Sequence, residues 1–103
     1  MHIKDDYCQF LGLRVNPEAG TISSYVRAMD IIDEALKANE PSLKSVWSIR
    51  DVSHLQQLLE YVKREQRKVD GGIFKAVKTK SYWRQGFCSA ALAKFIEFVE
   101  TQS

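Results

Sequence analysis

The 103-residue sequence predicts an all-α fold, a compact orthogonal bundle of four to five helices in one domain spanning 1–103. Three observations lead to this prediction. Apolar residues recur three or four positions apart in several segments, prolines and glycines separate those segments, and the composition is that of an ordinary globular protein. Hydrophobic residues make up 45% of the chain and charged residues 27%, which argues against general disorder and allows a modest core without disulfides or metal.

The first helix is short and the second is the clearest of the chain. Helical spacing of apolar residues begins at Ile3 and ends at Leu13 or Arg14, before a Pro and a Gly that block continuation. Thr21 is a plausible N-cap for a second helix over residues 22 to about 38, which has a wide apolar stripe. We expect the charged residues on its opposite side to form a solvated face; they are Asp30, Asp33, Glu34 and Lys37.

The middle of the chain contains one segment whose structure the sequence leaves open. Residues 42–50, SLKSVWSIR, fit a short strand, a turn of helix or an extended crossing that inserts Trp47 into the core. Asp51 then has the position of an N-cap for a third helix, which we expect to run from residue 52 to about residue 69. The cations in its last turns are favoured there by the helix dipole.

A glycine pair and a final apolar helix complete the predicted bundle. Gly71 and Gly72 suit the left-handed conformation that ends many helices, after which residues 73–74, Ile-Phe, can return to the core. The last helix, beginning near Phe87, has two adjacent apolar stripes. Stripes this wide predict a central helix that packs on more than one side. Cys88 lies on an apolar stripe and is expected to be a buried structural thiol.

Positive charge is concentrated between residues 61 and 84. This segment carries eight Lys or Arg residues against two acidic ones, a net of +6, whereas the whole chain has a formal net charge of +2. The remainder is therefore about −4. Such asymmetry favours a positive face for a polyanion. The alternative for the cations of the third helix is that they only complement the helix dipole.

The sequence contains no convincing set of catalytic or metal-binding groups. His54 has no Cys or carboxylate at a ligand spacing, and the adjacent Asp5 and Asp6 face two directions on a helix. We therefore expect no catalytic residue, no metal and no cofactor. The two cysteines are too few for a disulfide framework and indicate free thiols in a reducing compartment. The free thiols lead us to expect a cytoplasmic location, and no apolar run is long enough to span a membrane.

Groups that bind a phosphate backbone are better supplied. Lys and Arg neutralise phosphates, and Ser, Tyr and Gln donate hydrogen bonds to phosphate oxygens. Two of the candidates stand at the predicted start of the last helix, where the positive end of the dipole also favours phosphate. Trp83 either stacks on a base or plugs the core. The candidate DNA-binding residues are Ser24, Tyr25, Arg27, Lys75, Lys78, Lys80, Ser81, Arg84 and Gln85.

Three segments resemble the small helical modules that precede catalytic domains in restriction endonucleases, including HNH types. Residues 21–36, TISSYVRAMDIIDEAL, resemble their opening S-Y-x-x-A-L helix. Residues 46–59, VWSIRDVSHLQQLL, resemble their I-x-D-x-x-x-L-x-x-L-L stretch. Residues 80–99, KSYWRQGFCSAALAKFIEFV, resemble their closing Y-S-A-A-L-x-x-Y-x-x-F-L helix. Matched position by position, Ser24, Tyr25 and Arg27 fall in the first motif and Ser81, Arg84, Ser89 and Ala90 in the last.

The resemblance implies an all-α fold similar to the SAM-like core-binding domain of tyrosine recombinases, and a role in binding or positioning double-stranded DNA. No nuclease domain follows before Ser103. We therefore expect either a fragment or subunit of a larger restriction system, or a free-standing relative whose partner supplies a nuclease domain. The alternative function is a protein–protein assembly or dimerisation module that uses the wide apolar surface of the last helix.

Overall fold

Helices account for all the regular structure in the part of the chain that the computed structural model describes, which is residues 3–14, 21–40, 42, 45–76 and 86–102. The α-helices are α1 (Ile3–Arg14), α2 (Thr21–Asn39), α3 (Val52–Gln66) and α4 (Phe87–Gln102). Two 3-10 helices, η1 (Val46–Ser48) and η2 (Gly72–Ala76), lie between them. The predicted all-α bundle is thereby confirmed. Within those ranges, no helix has the length and apolar content needed to cross a bilayer.

Helix α4 lies at the centre and packs against α1, α2 and α3. Both of its predicted apolar stripes are buried against other helices, so the helix packs on more than one side. Tyr7 of α1 is fully buried against it and donates a hydrogen bond from Oη to the Ala91 carbonyl oxygen, 2.6 Å away. The buried residues of α4 are Cys88, Ala91, Leu92, Phe95, Ile96, Phe98 and Val99.

Within residues 42–50, whose structure the sequence left open, η1 forms and inserts Trp47 into the core beside Tyr7 and Phe95. Two carboxylates of α2 hold this turn. Asp33 accepts hydrogen bonds from the Val46 N–H at 2.9 Å and the Ser45 hydroxyl at 3.2 Å, and Asp30 accepts from Trp47 Nε1 at 2.9 Å. The expectation that Asp30 and Asp33 form a solvated face was therefore wrong. Burial of the indole and of a backbone N–H requires acceptors, and α2 supplies them.

Helix α3 begins as predicted and ends earlier than predicted. The Asp51 side chain accepts hydrogen bonds from the backbone N–H groups of Ser53 and His54, which confirms it as the N-cap. The helix ends at Gln66, three residues before the expected position. Two tight turns follow in place of further helix. In the first, the Lys68 N–H donates to the Glu65 carbonyl oxygen at 3.2 Å, and the second begins at Lys68.

A buried carboxylate fixes the turn between α3 and η2. Glu65 is only 8% exposed; its Oε1 accepts from the Ile73 N–H at 3.2 Å and its Oε2 pairs with Lys68 Nζ at 2.7 Å. Gly72 has φ +55, and a Cβ there would lie 2.5 Å from Glu65 Oε1. Glycine is thus required both by the backbone conformation and by the space. Ile73 and Phe74 return to the core, as predicted.

Candidate functional site

The structure describes four of the nine predicted DNA-binding residues. They are Ser24, Tyr25, Arg27 and Lys75. The other predictions fall on Lys78, Lys80, Ser81, Arg84 and Gln85, which lie outside the described residues, as does Trp83. The geometry of the candidate site is therefore that of the elements on either side of residues 77–85, namely the end of η2 and the start of α4.

Tyr25 lies beside the start of α4. Its ring meets the Phe87 ring edge to face, with the centroids 6.2 Å apart and the planes at 73°. The Ala28 carbonyl oxygen, one turn further along α2, lies 3.9 Å from the Cys88 thiol. The first turns of α2 and α4 are therefore packed side by side, which places the half-buried Ser24 and Tyr25 near the point where α4 begins.

The last turn of α3 contacts both of the elements that flank residues 77–85. Glu65 binds the Ile73 N–H of η2, and the next residue, Gln66, donates from Nε2 to Ser89 Oγ of α4 at 2.8 Å. Ser89 in turn donates to the Gly86 carbonyl oxygen. The basic end of α3 is thus held between η2 and the start of α4. We call this region the basic corner. It consists of residues 63–66 of α3 with the turn that follows them, of η2, and of the first turn of α4.

The cations of the basic corner differ in how they are held. Lys63 is 3.8 Å from Glu60. Lys68 is bound by Glu65, and the hydrogen bond that Lys68 donates to the Glu65 carboxylate raises the pKa of Lys68. Arg67 and Lys75 are exposed, and among the described residues no carboxylate is within ion-pair distance of either. These two cations, like the exposed Arg64, are therefore without an ion pair to a described carboxylate and can meet an external anion.

Arg27 is not part of this corner. It follows Tyr25 by two positions, which on an α-helix turns its side chain through about 200°. Its guanidinium lies 3.7 Å from the exposed Glu34 carboxylate. The structure therefore brings Tyr25 to the start of α4 and places Arg27 on another side of α2, beside an acidic residue.

The glycine turn before η2 is closed to an external anion. Successive N–H groups in such a turn can form an anion-binding nest. Here Asp70 accepts from the Gly72 N–H at 3.0 Å and Glu65 accepts from the Ile73 N–H. The hydrogen bond from Gly72, together with the positive charge of Lys75, lowers the pKa of Asp70. The protein's own carboxylates thus accept the hydrogen bonds of these donors. The helical pattern of the sequence did not indicate this role for Glu65.

The start of α4 has a different character. Gly86 has φ +81 and its carbonyl oxygen accepts the first helical hydrogen bond, from the Ala90 N–H at 3.0 Å. A glycine in this position has no side chain with which to cap the helix. Among the described atoms, none lies within 4 Å of the place that a Cβ of Gly86 would take. The positive end of the α4 dipole lies within the basic corner, which includes the first turn of this helix.

A cavity of about 510 Å³ lies elsewhere, between the end of α2 and the start of α3. Its polar groups have structural roles. Asp51 caps α3, and Arg50 Nη1 donates to the carbonyl oxygens of Trp47 at 2.6 Å and Ile49 at 3.1 Å. In the described part of the chain, no group of three His, Cys, Asp or Glu residues could hold a metal ion. The cavity is lined by Leu36, Ser42, Ser48, Ile49, Arg50, Asp51, His54 and Leu58.

Comparisons with protein-family models, with curated proteins and with solved structures found no match to this chain. The positions and chemistry of its own side chains are therefore the basis for inferring what it does. The feature with the clearest chemistry is the basic corner, where exposed cations and a helix N-terminus flank a chain segment that carries three further Lys or Arg residues.

Proposed function

We propose that this chain is a non-catalytic DNA-binding module of a restriction-endonuclease-type system. It holds duplex DNA at the basic corner, so that a nuclease domain or subunit can act on the DNA. The observation that carries the proposal is that one turn of α3 is bonded both to η2 and to the start of α4. The link to restriction systems, and the SAM-like form of the bundle, rest on the resemblance of three sequence segments.

The charge of the corner supports a polyanionic partner. Residues 61–76 carry five Lys or Arg residues against Glu65 and Asp70, and both of these acids are turned to backbone N–H groups of the protein itself. Lys78, Lys80 and Arg84 follow in the sequence. Each cation that neutralises a phosphate releases a counterion, which favours binding at low salt. Ser24, Tyr25, Ser81 and Gln85 are the neutral donors of the proposed interface. The free cysteines favour a cytoplasmic location.

The alternative, a protein–protein assembly module, has less support. It was suggested by the wide apolar surface of the last helix, but those side chains fill the core of the same chain. Among the described residues, the one large hydrophobic side chain classed as exposed is Val69, at 97%. A single exposed valine does not form the contiguous patch that marks a stable interface.

The test is a salt titration of duplex binding, followed by fluorescence anisotropy. We expect binding at about 50 mM salt that weakens steeply as salt rises. Replacing Arg67 and Lys75 together by Gln should lower the slope of log K against log salt by about two, since each lost phosphate contact removes about one. Lys94→Gln, on the later part of α4 and paired with Glu97, is the control and should leave the slope unchanged.

Two outcomes would contradict the proposal. One is the absence of duplex binding at low salt. The other is a double variant that binds with the same affinity and slope as the Lys94→Gln control. If light scattering then showed a stable dimer that is indifferent to DNA, the assembly function would be favoured instead.

A further inference from the structure

We propose that the solvent face of α3 lies in the major groove and reads base edges there. This inference rests on the proposed function and adds a sequence-dependent part to it. The basic corner alone would grip any duplex, because phosphates carry no sequence information. Helix α3 extends from that corner and presents a row of side chains of the kinds that distinguish base pairs. They are Ser53, Gln57, Glu60 and Arg64.

The spacing of these four residues puts them in one line. They follow one another by four, three and four positions, so they share one face of the helix. All four are exposed. At 1.5 Å per residue the line is about 16 Å long, which corresponds to about five base pairs at a rise of 3.4 Å. A helix about 10–12 Å wide fits the major groove, which is about 12 Å wide.

The line contains side chains of the kinds that read base edges. Gln bonds bidentately to adenine, Arg to guanine, Glu accepts from the cytosine amino group, and Ser pairs with either kind of edge. Glu60 would otherwise be unfavourable on a DNA-facing surface, but Lys63 lies 3.8 Å from it and offsets its repulsion of phosphates. The Arg64 guanidinium lies 6.0 Å from the Tyr61 ring centre, an arrangement that limits its freedom before it meets a base.

The opposite face of α3 holds the helix firmly. Leu55, Leu59 and Val62 are buried in the core, and Glu65 and the Asp51 cap fix the two ends. Exposed cations stand just outside both ends of the line: before it is Arg50, whose Nη1 also donates to the Trp47 and Ile49 carbonyl oxygens, and after it is Arg67. A rigid helix with a cation at each end can set its register on the phosphates that border a groove, while the row between the cations meets the bases.

The experiment is a selection from duplexes with a randomised core, followed by sequencing of the bound fraction. Wild-type protein should enrich a motif of about four to five base pairs. Arg64→Ala and Gln57→Ala should each relax the preference at one position, by about tenfold or more, and leave the rest of the motif intact. Gln9→Ala is the matched control, because Gln9 is an exposed glutamine on α1, which packs against α2 and α4.

The outcomes separate this inference from the proposed function. Binding without any enriched motif would overturn the reading role of α3 and leave the DNA-binding function standing. A motif that survives both Gln57→Ala and Arg64→Ala unchanged would likewise overturn it. The absence of all binding would overturn the proposed function as well. Circular dichroism of each variant distinguishes loss of readout from loss of fold.

Discussion

At the scale of single residues, Glu65 has the least expected role. In the sequence it is one acid within the run KREQRK, where it looks like an ordinary surface charge. In the structure its carboxylate is buried and holds the N–H of Ile73, eight positions further on. The partner is a backbone group, which no side-chain pattern encodes. The glycine pair that follows could be predicted as a turn, but the reason that Gly72 must be small could not.

Gly72→Ala and Gly86→Ala form a matched pair that isolates the effect of Glu65. Both positions have positive φ, so each alanine should lose roughly 1–2 kcal/mol of unfolding free energy from backbone strain alone. At Gly72 the new Cβ also displaces Glu65 Oε1, which leaves the Ile73 N–H unpaired and adds about 1–3 kcal/mol. The unfolding free energy measured with urea should therefore be lower for Gly72→Ala than for Gly86→Ala. Equal losses in the two variants would show that the carboxylate moves aside without consequence.

At the scale of elements, the local signals located the helices well and their connections poorly. The bounds of α2 and the start of α3 follow from an apolar stripe and an Asp at the capping position, both of which act within a few residues. The end of α3 was misplaced because EQRK, residues 65–68, consists of strong helix formers and contains no stop signal. What ends that helix is the reversal at Gly71 and Gly72 and the capture of η2 by Glu65, both of which depend on tertiary structure.

The site was predictable to a similar degree. Of the residues chosen from motif and charge, Tyr25 lies beside the start of α4 and Lys75 lies in η2, whereas Arg27 projects from another side of α2. The sequence could show that cations cluster between residues 61 and 84. It could not show that Gln66 and Glu65 would join α3 to both neighbours, because those contacts span 23 and 8 residues.

The attachment of η1 to α2 makes a testable difference between neighbouring acids. Asp33→Ala removes the acceptor of the Val46 N–H and of the Ser45 hydroxyl, and should lower the unfolding free energy by about 1–3 kcal/mol. Glu34→Ala removes only an exposed pair with Arg27, so a change within about 0.5 kcal/mol is expected. Chemical denaturation measures both. The near-ultraviolet circular dichroism signal of Trp47 should change in the first variant only.

At the scale of the whole molecule, the core contains two ionisable groups that must stay neutral. Burial raises the pKa of the Cys88 thiol from 9.0 to about 12, and burial also raises the pKa of Tyr7, which packs against three aromatic rings. Both groups ionise more easily in the unfolded chain than in the folded one. Their contribution to stability is therefore complete below pH 9 and is lost as the pH rises towards the folded values.

We therefore expect alkaline destabilisation in two stages. The unfolding free energy should fall from about pH 9 as Cys88 ionises in the unfolded state, and more steeply above about pH 10 when Tyr7 follows, by about 1.4 kcal/mol per pH unit for each group. Cys88→Ala should shrink the first stage and keep the second; the part of the first stage that remains comes from Cys8, because burial also raises the pKa of its thiol. Thermal unfolding at a series of pH values measures this. A Cys88→Ala profile that matches wild type between pH 9 and 10 would contradict it.

The contact between Glu65 and Gly72 also constrains how these two positions can diverge among related sequences. Gly72 meets two separate demands, one from its φ of +55 and one from the carboxylate oxygen that occupies the space of a Cβ. A lineage that lost the acid at position 65 would be freed from the carboxylate contact, although the backbone carbonyl oxygen of residue 65 would still lie 3.0 Å from the Cβ position. Asn or Asp, which tolerate the left-handed region better than other residues, would then be less unfavourable at position 72. The two positions are therefore expected to covary, with the glycine retained wherever the acid is retained.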